Sequence, residues 1–249
     1  MHLLVHPFHD RSSGVIAYVV TNPASDRCAL VDAHLLGSTD GADASATPLQ
    51  LVIEFVRANG LVVEWMLATR CDTQAVDTIR ALKRHFVCAQ LGARAASMDS
   101  MHGESRSQDA VSVQSRSTQI GSDGSHSRAS LRLDRVFGHG ERVSIGHACG
   151  RVLHTADRAP GSVVYSFDGV AFTGAAALGP GGSDRREPDS ELSKANDHGR
   201  SWMQHLAPNT RLFVGVEGSL ANAEVPCMTF AGGFTRRGSC ALDRLSVAP

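Results

Sequence analysis

The sequence has little of what marks a specialised class of protein. Its six cysteines form no C-x-x-C pair, and in a chain of 249 residues this usage is typical of a reducing compartment and not of a disulfide framework. No apolar run approaches the roughly 18 residues that a membrane span needs. The formal net charge is −1, so the charge balance indicates neither a general nucleic-acid binder nor a membrane partner. Three cysteines in apolar, strand-like sequence are predicted to be small buried side chains: Cys28, Cys88 and Cys149.

The N-terminal sequence M-H-L-L-V-H-P-F-H-D lacks the features of a targeting segment. It has no basic n-region, no long apolar stretch and no small-residue cleavage site, and it lacks the Arg/Ser-rich amphipathic character of a transit peptide. We therefore expect an intracellular protein of the cytoplasm or the mitochondrial matrix that is not secreted.

Local patterns predict alternating strands and helices. Thr47 can cap a helix that begins with Pro48 and ends at Asn59. The nearly continuous apolar run Leu61–Ala68 predicts a strand that is buried on both faces, and Ala75–Phe86 predicts a second helix. Further predicted strands are Val15–Val20, Cys28–Val31, Val87–Leu91, Leu131–Phe137, Val143–Gly146, Gly150–Thr155, Ser162–Phe167, Val170–Thr173 and Arg211–Val216.

Two polar parts of the chain differ in character from these segments. Residues 97–130 are rich in Ser, Arg, Gln, Asp and Gly, so they cannot offset their ordering entropy by burying apolar surface. We expect them to form a mobile insertion in a single domain that spans residues 1–249. Gly179–Pro188 is a second stretch of this kind, whereas Glu191–Leu206 predicts a helix. Residues 217–249 form a divergent C-terminal tail.

Several separated segments carry a resemblance to a known family. Val152–Tyr165 reads V-L-H-T-A-D-R-A-P-G-S-V-V-Y, and Leu67–Ala75 reads L-A-T-R-C-D-T-Q-A. From about Phe8 to Glu217 the sequence resembles the metallo-β-lactamase superfamily, nearest its persulfide dioxygenase and β-lactamase-like hydrolase branch. The resemblance implies an α/β fold, namely an αββα sandwich of the metallo-β-lactamase type. Its active site would lie where strand-end loops meet at one edge of the two sheets.

Every metal ligand that the resemblance leads us to expect is replaced. The family's T-H-x-H-x-D-H falls on T-R-C-D-T-Q-A, its later ligand histidines fall on arginine and valine, and its bridging aspartate falls on alanine. A protonated guanidinium has no lone pair to donate to a metal, so the resemblance implies a degenerate site without a metal or other cofactor. The ligand-equivalent positions are Arg70, Asp72, Gln74, Ala75, Arg158, Ala175 and Val216.

Residues around these positions have supporting roles in the same interpretation. His154 matches a non-ligand histidine of the family, and we expect it and Tyr165 to lie in the core or to pack around the site. Asp72 is predicted to accept a hydrogen bond from Arg70 or Arg158, which would favour its ionised form.

Two classes of function fit these replacements. The first is a catalytically inactive member of the fold, kept as a structural or interaction subunit with protein partners in a large assembly. Because related eukaryotic persulfide dioxygenases are mitochondrial, the resemblance makes a mitochondrial assembly a setting to consider. The second is a metal-independent enzyme, or a protein that binds an anionic or thiol ligand. In that case Arg70 and Arg158 would hold a carboxylate, sulfonate or phosphate, with Cys71 beside them.

Other candidate motifs near the start of the chain and near the ligand-equivalent positions have simpler structural explanations. His2, His6 and His9 form H-x3-H-x2-H, which could bind a metal, but an exposed strand edge is the commoner explanation. A neighbouring arginine can activate the Cys71 thiol as a nucleophile, whereas Asp72 acts against this activation.

Two further motifs concern phosphate groups. Gly179–Gly182 lacks the Lys and the spacing of a phosphate-binding loop, so we interpret it as a hinge or loop. Arg106, Arg116 and Arg128 lie among serines and could contact RNA, but a solvated linker explains such spaced arginines more often.

Overall fold

Two six-stranded β-sheets form the centre of the computed structural model, which describes residues 2–37, 47–70, 76–94, 133–155, 161–174, 201–216 and 229–230. The first sheet has its strands in chain order, and these are β1 Leu4–Asp10, β2 Val15–Thr21, β3 Arg27–Val31, β4 Val62–Leu67, β5 Gln90–Ala93 and β6 Arg135–Val136. The second sheet also follows chain order, and its strands are β7 Arg142–Ile145, β8 Ala148–His154, β9 Val163–Phe167, β10 Val170–Gly174, β11 Arg211–Val214 and β12 Thr229–Phe230.

The direction of strand pairing in the first sheet agrees with its connections. Strands β1, β2 and β3 pair antiparallel, whereas β3, β4, β5 and β6 pair parallel. Parallel neighbours need a crossover connection, and helices α1 (Pro48–Ala58) and α2 (Val76–His85) lie in two of the connecting segments. The apolar faces of both helices pack on the outer side of the first sheet.

Local sequence determines both ends of α1, as predicted. The backbone N–H of Gln50 donates to Thr47 Oγ1 at 3.2 Å, which satisfies one of the free donors at the start of a helix. Pro48 fits the first turn because a backbone N–H at this position would have no partner within the helix, so its absence costs nothing. After the helix the chain turns at Gly60, where φ is 62° and glycine avoids the strain of a Cβ. The buried residues have the predicted spacing and are Leu49, Val52, Ile53 and Val56.

Side-chain alternation along the strands separates two apolar layers. In β2, Tyr18 and Val20 lie between the two sheets, whereas Ala17 and Val19 lie on the side of the helices. On the outer face of the second sheet, a smaller cluster packs around Trp202 of a 3₁₀-helix at Ser201–His205. Apolar side chains thus connect four layers: helices α1 and α2, the first sheet, the second sheet and the 3₁₀-helix Ser201–His205. This arrangement is the sandwich that the resemblance implies.

Some strand predictions need correction. Strand β4 is not buried on both faces, because Val62 is exposed next to the turn after α1 and Trp65 is only half-buried. The predicted strand Val87–Leu91 begins instead as a turn, in which the backbone N–H of Ala89 donates to the Phe86 carbonyl. Sequence analysis expects a strand edge at the N-terminal histidines but gives no bounds for β1. Of the predicted strand Leu131–Phe137, β6 is the part observed among the described residues.

The prediction of buried cysteines is correct for one of the three. Cys28 is buried in β3, and burial together with the nearby carboxylates Asp26 and Glu64 raises its pKa to about 12. Cys88 and Cys149 are exposed, contrary to the prediction. Cys88 lies in the turn between α2 and β5, and Cys149 lies on the outer face of β8 because neighbouring residues of that strand occupy its inner face.

Several predicted segments fall outside the described residues, namely the insertion 97–130 and Gly179–Pro188. Of the predicted helix Glu191–Leu206, the described part forms the 3₁₀-helix Ser201–His205. Within the tail 217–249, Thr229–Phe230 forms β12, which pairs antiparallel with β11. In the portion of the chain that the structure describes, no helix has the length and apolarity that crossing a membrane requires.

Candidate functional site

The ends of four strands meet at one edge of the sandwich. Asp32 follows β3 and Thr69 lies just beyond β4 in the first sheet, while Gly174 ends β10 and Gly215 follows β11 in the second. Both strand pairs are parallel, so their carboxyl ends lie side by side. The two sheets are joined here, because the backbone N–H of Ile16 donates to the Gly215 carbonyl at 2.9 Å.

Asp32 lies at the centre of this edge. Its side chain is buried, and its φ of 57° is in the left-handed region that non-glycine residues seldom adopt. The backbone N–H of Thr69 donates to Asp32 Oδ1 at 2.8 Å, and the Thr69 hydroxyl donates to Oδ2 at 2.8 Å. Burial raises the pKa of Asp32, while His34, the Thr69 hydrogen bonds and Arg70 act in the opposite direction. The two hydrogen bonds from Thr69 to the Asp32 carboxyl group therefore hold the main chain in place just after β4.

Two glycines allow the second sheet to approach this pair. A Cβ on Gly174 would lie 2.2 Å from Thr69 Oγ1, and φ at Gly174 is 55°. A Cβ on Gly215 would lie 2.9 Å from the Cα of Gly174 and 3.0 Å from Asp32 Oδ2. No larger residue fits at Gly174 without displacing Thr69. We call Asp32, Thr69, Gly174 and Gly215 the edge frame.

Arg70 follows the edge frame directly. Its backbone carbonyl accepts a hydrogen bond from His34 Nε2 at 3.3 Å, and the His34 side chain is itself buried. The Arg70 side chain is half-buried, and its Nε is a buried atom without a hydrogen-bond partner among the described residues. The hydrogen bond from His34 thus fixes the main chain at Arg70. The buried Nε of the Arg70 guanidinium has no acceptor among the described residues.

Solved structures with the same arrangement of two sheets identify the fold. The structure matches ETHE1 from Myxococcus xanthus with a TM-score of 0.59 and 15% sequence identity, over 94% of this chain and 82% of that chain. It matches the BLEG-1 B3 metallo-beta-lactamase with a TM-score of 0.56 and 20% identity, over 92% of this chain and 95% of that chain. The chain has the metallo-β-lactamase fold. At these identities, the likeness to solved structures establishes the fold alone.

The curated proteins with similar sequences are also named after β-lactamases. The Beta-lactamase hydrolase-like proteins of Xylella fastidiosa and Agrobacterium fabrum are each 26% identical to this chain, over 220 and 226 residues. Each match covers 85% of this chain but 46% of the relative, so the chain spans about half the length of the curated relatives it matches. No protein-family profile matches the sequence.

Two of the seven ligand-equivalent positions lie in the described part of this metallo-β-lactamase fold. Arg70 follows Thr69 of the edge frame, and Val216 follows Gly215, so the structure brings both to the same edge. Val216 also forms an isolated bridge with Val15 of the first sheet. The other positions and the candidate nucleophile lie outside the described residues: Asp72, Gln74, Ala75, Arg158, Ala175 and Cys71.

The two described positions do not fit the metal centre that the metallo-β-lactamase fold implies. Such a centre needs imidazole, thiolate or carboxylate donors. The Arg70 guanidinium is a cation without a free lone pair, and the Val216 side chain contains no donor atom. The described residues also contain no group of three or more His, Cys, Asp or Glu side chains placed to hold a metal ion. Neither of these two side chains can therefore serve as a metal ligand.

Tyr165 and His154 are supporting residues, as predicted. The Tyr165 side chain is completely buried, and its hydroxyl lies 2.9 Å from the Ala68 carbonyl and 3.2 Å from the Gly92 carbonyl, so it can share its proton between them. His154 Nε2 donates to the Phe137 carbonyl at 3.1 Å. Burial lowers the pKa of His154. Both side chains connect the second sheet to the first.

The N-terminal histidines do not form the metal site that their spacing allows. Strand residues alternate between the two faces of a sheet, so His6 and His9, three positions apart in β1, project to opposite faces. His6 packs on Phe55 of α1 with ring centroids 4.7 Å apart, and burial lowers its pKa. His6 and His9 are both half-buried, so the expectation that these histidines are simply exposed at a strand edge is wrong.

Sequence analysis did not identify the edge frame. The signal was present in A-L-V-D-A, where an acidic residue ends a continuous apolar strand, since a buried carboxylate needs partners. The partners themselves, Thr69 and the two glycines, become apparent only in three dimensions because they lie far apart in the sequence.

Proposed function

We propose that this chain is a metallo-β-lactamase-fold protein without the family's metal-dependent chemistry, and that it acts as a structural or interaction subunit. The observation that carries the proposal is the contrast at the edge of the sandwich. The buried Asp32–Thr69 pair is intact, whereas the next residue, Arg70, offers a cation where the resemblance leads us to expect a ligand. A fold can be kept for its surfaces after its chemistry is lost.

The chemistry of the remaining side chains supports this proposal. Water is activated for hydrolysis by a metal ion held by several lone-pair donors. Among the seven ligand-equivalent positions, Asp72 is the only one with an ionisable carboxyl group, and Arg70 and Arg158 introduce positive charge. A divalent cation near these two arginines would be repelled. We accordingly propose that the protein neither hydrolyses β-lactam-type substrates nor oxidises persulfides.

The interaction role requires a partner, and a protein partner in a multi-subunit complex is the one we propose. The polar residues 97–130 and the tail 217–249 are the segments we propose for the contact, since such compositions often mediate binding. An RNA contact through Arg106, Arg116 and Arg128 is a weaker form of the same proposal. The mitochondrial setting stays an expectation from the sequence.

Native purification tests the interaction role. The chain should be isolated at its natural level, with cross-linking, and the co-purifying chains should be identified and quantified. We expect one protein partner in constant ratio, lost when residues 97–130 are replaced by a Gly/Ser linker of equal length. A chain that stays monomeric throughout, and that turns over a β-lactam or a persulfide in a chelator-sensitive reaction, would overturn the proposal.

A second candidate function is a metal-independent enzyme or a protein that binds an anionic or thiol ligand through Arg70, Cys71 and Arg158. The observation in its favour is the buried Arg70 Nε without a partner among the described residues, because a buried guanidinium donor favours an acceptor. Isothermal titration with sulfonate and carboxylate thiols tests it. Saturable binding that Arg70→Gln removes, and that the control Arg57→Gln leaves unchanged, would favour this candidate over the first.

A further inference from the structure

A cavity of about 760 Å³ lies on the outer face of the second sheet. It is lined by residues on or next to β7, β8 and β9, and by His205 of the 3₁₀-helix Ser201–His205. In β8, Cys149 and Arg151 line the cavity, whereas Val152 packs between the two sheets. This outer-sheet cavity is therefore on the opposite side of the sheet from the core, and its lining includes no residue of the edge frame.

Two arginines determine the charge of the outer-sheet cavity. Arg142 of β7 and Arg151 of β8 are direct register partners, so their side chains project from the same face of the sheet. Like charges placed directly opposite destabilise a sheet. Neither arginine forms an ion pair with another described residue, and Asp168 is the acidic residue in the lining. The local excess of positive charge would be offset by a bound anion.

Histidine and serine side chains add hydrogen-bond donors to the same cavity. The rings of His139 and His205 both line it, with their centroids 6.0 Å apart. His139 Nδ1 accepts a hydrogen bond from the backbone N–H of His154 at 3.1 Å. In its neutral form His139 must therefore carry its proton on Nε2, which makes that nitrogen a donor. The Ser166 hydroxyl, also in the lining, can donate as well.

We propose that the outer-sheet cavity binds a phosphorylated small molecule whose phosphoryl oxygens are held by Arg142 and Arg151. A guanidinium matches a phosphoryl group with two parallel hydrogen bonds, and an adjacent pair can bind a dianion. The volume falls in the range of about 300–1,000 Å³ that is usual for small-molecule sites. Leu153, which projects from the same face of β8 as Cys149 and Arg151, provides apolar surface for the rest of the ligand. This function is separate from the edge of the sandwich and from the proposed partner contact.

A thiol in the lining provides a reporter for this site. Cys149 is exposed and lines the cavity, whereas Cys88 is also exposed but lies in the turn between α2 and β5. Pyrophosphate is the probe. The full chain should be alkylated with and without it, and the modification of each cysteine should be followed by peptide mass spectrometry. We expect pyrophosphate to slow the labelling of Cys149 several-fold and to leave the labelling of Cys88 unchanged.

Variants connect that protection to the two arginines. Arg142→Gln and Arg151→Gln should each weaken pyrophosphate binding by about tenfold or more, measured by isothermal titration. Arg80→Gln is the matched control, because Arg80 is an exposed arginine of α2 that pairs with Asp77. If a glutamine variant does not fold, Arg142→Lys and Arg151→Lys keep the charge and should still weaken binding by losing the guanidinium fork. The proposal is overturned by absence of Cys149 protection, by equal weakening in Arg80→Gln, or by an RNA oligonucleotide that protects Cys149 at lower concentration than pyrophosphate.

Discussion

Asp32 and Thr69 form a buried pair in which the backbone N–H and the hydroxyl of Thr69 each donate to one oxygen of the Asp32 carboxyl group at 2.8 Å. The two residues are 37 positions apart and lie at the ends of the neighbouring parallel strands β3 and β4. The Thr69 carbonyl also accepts from the backbone N–H of Val163 at 2.8 Å. This pair therefore joins the two strands to the second sheet immediately before the chain enters Arg70.

The Asp32–Thr69 pair predicts a specific stability difference between two variants. Asp32→Ala leaves the buried Thr69 N–H unsatisfied and places a Cβ-bearing residue without a local polar partner at φ 57°. We expect it to lower the free energy of unfolding by roughly 2–4 kcal/mol. Asp32→Asn keeps one acceptor and tolerates the left-handed conformation, so it should cost about half as much or less. Urea unfolding measures both, with the exposed Asp26→Ala as a control. Equal losses for Asn and Ala at position 32 would contradict this role.

The lowered pKa of Asp10 predicts how the free energy of unfolding depends on pH. Burial acts to raise the pKa of Asp10, but hydrogen bonds from Ser12 and Ser13 outweigh it and lower the pKa to about 2. Because the folded-state pKa is below the ordinary value of 3.8, Asp10 contributes stability above about pH 4, and this contribution is lost as the pH falls toward 2. The loss should reach at most about 2 kcal/mol.

Unfolding titrations across this acidic range test the Asp10 prediction. The stability of Asp10→Asn should decline less steeply than that of the wild type between pH 4 and pH 2. Asp77→Asn is a suitable control, because the Asp77 side chain is 90% exposed. Parallel wild-type and Asp10→Asn profiles would show that Asp10 has no such role.

A comparison of Gly174 with Gly60 separates the backbone strain of a left-handed conformation from the steric effect of an added Cβ. Both have positive φ, of 55° and 62°, but a Cβ on Gly60 would contact nothing within 4 Å, whereas a Cβ on Gly174 would collide with Thr69. Gly60→Ala should therefore cost about 1–2 kcal/mol from backbone strain, and Gly174→Ala should cost a further 1–3 kcal/mol or so from overpacking. Thermal unfolding of the two variants compares them directly. A smaller loss for Gly174→Ala than for Gly60→Ala would refute the close approach at the edge frame.

The charge pairing predicted at the ligand-equivalent positions can be tested by a double-mutant cycle. Asp72 should pair with Arg158 or Arg70, so Asp72→Ala and Arg158→Ala should combine non-additively in thermal melts. Removing one member of a buried pair costs roughly 3–5 kcal/mol, whereas an exposed pair contributes about 0–1 kcal/mol. Strict additivity in both Asp72–Arg158 and Asp72–Arg70 cycles would argue against any such pair.

The elements that sequence analysis predicted well are those with local causes. Helix α1 is determined by Thr47, Pro48 and a regular apolar spacing, all within one short segment. The fold followed from a resemblance carried by motifs such as Val152–Tyr165. The turn before β5 was mistaken for a strand, because V-C-A-Q-L has the composition of a strand while the end of α2 imposes a turn.

The features that were not predicted depend on contacts between distant segments. Exposure of Cys149 depends on which face of β8 it occupies, and a shift of one residue in register would reverse it. The outer-sheet cavity requires Arg142 and Arg151 to be register partners, and their positions in the sequence alone do not show this pairing. Similarly, the requirement for glycine at position 215 arises from its approach to Asp32 and Gly174.

Metal analysis of untagged protein tests the central claim most directly. The chain should be purified from cells supplied with zinc and iron, alongside a variant that rebuilds the family's ligand set. The substitutions in that variant are Arg70→His, Asp72→His, Gln74→Asp, Ala75→His, Arg158→His, Ala175→Asp and Val216→His. We predict far less than one equivalent of zinc or iron in the wild type, and about one or two equivalents in the rebuilt variant. About one tightly held metal ion per wild-type chain, lost in Asp72→Ala, would contradict the account.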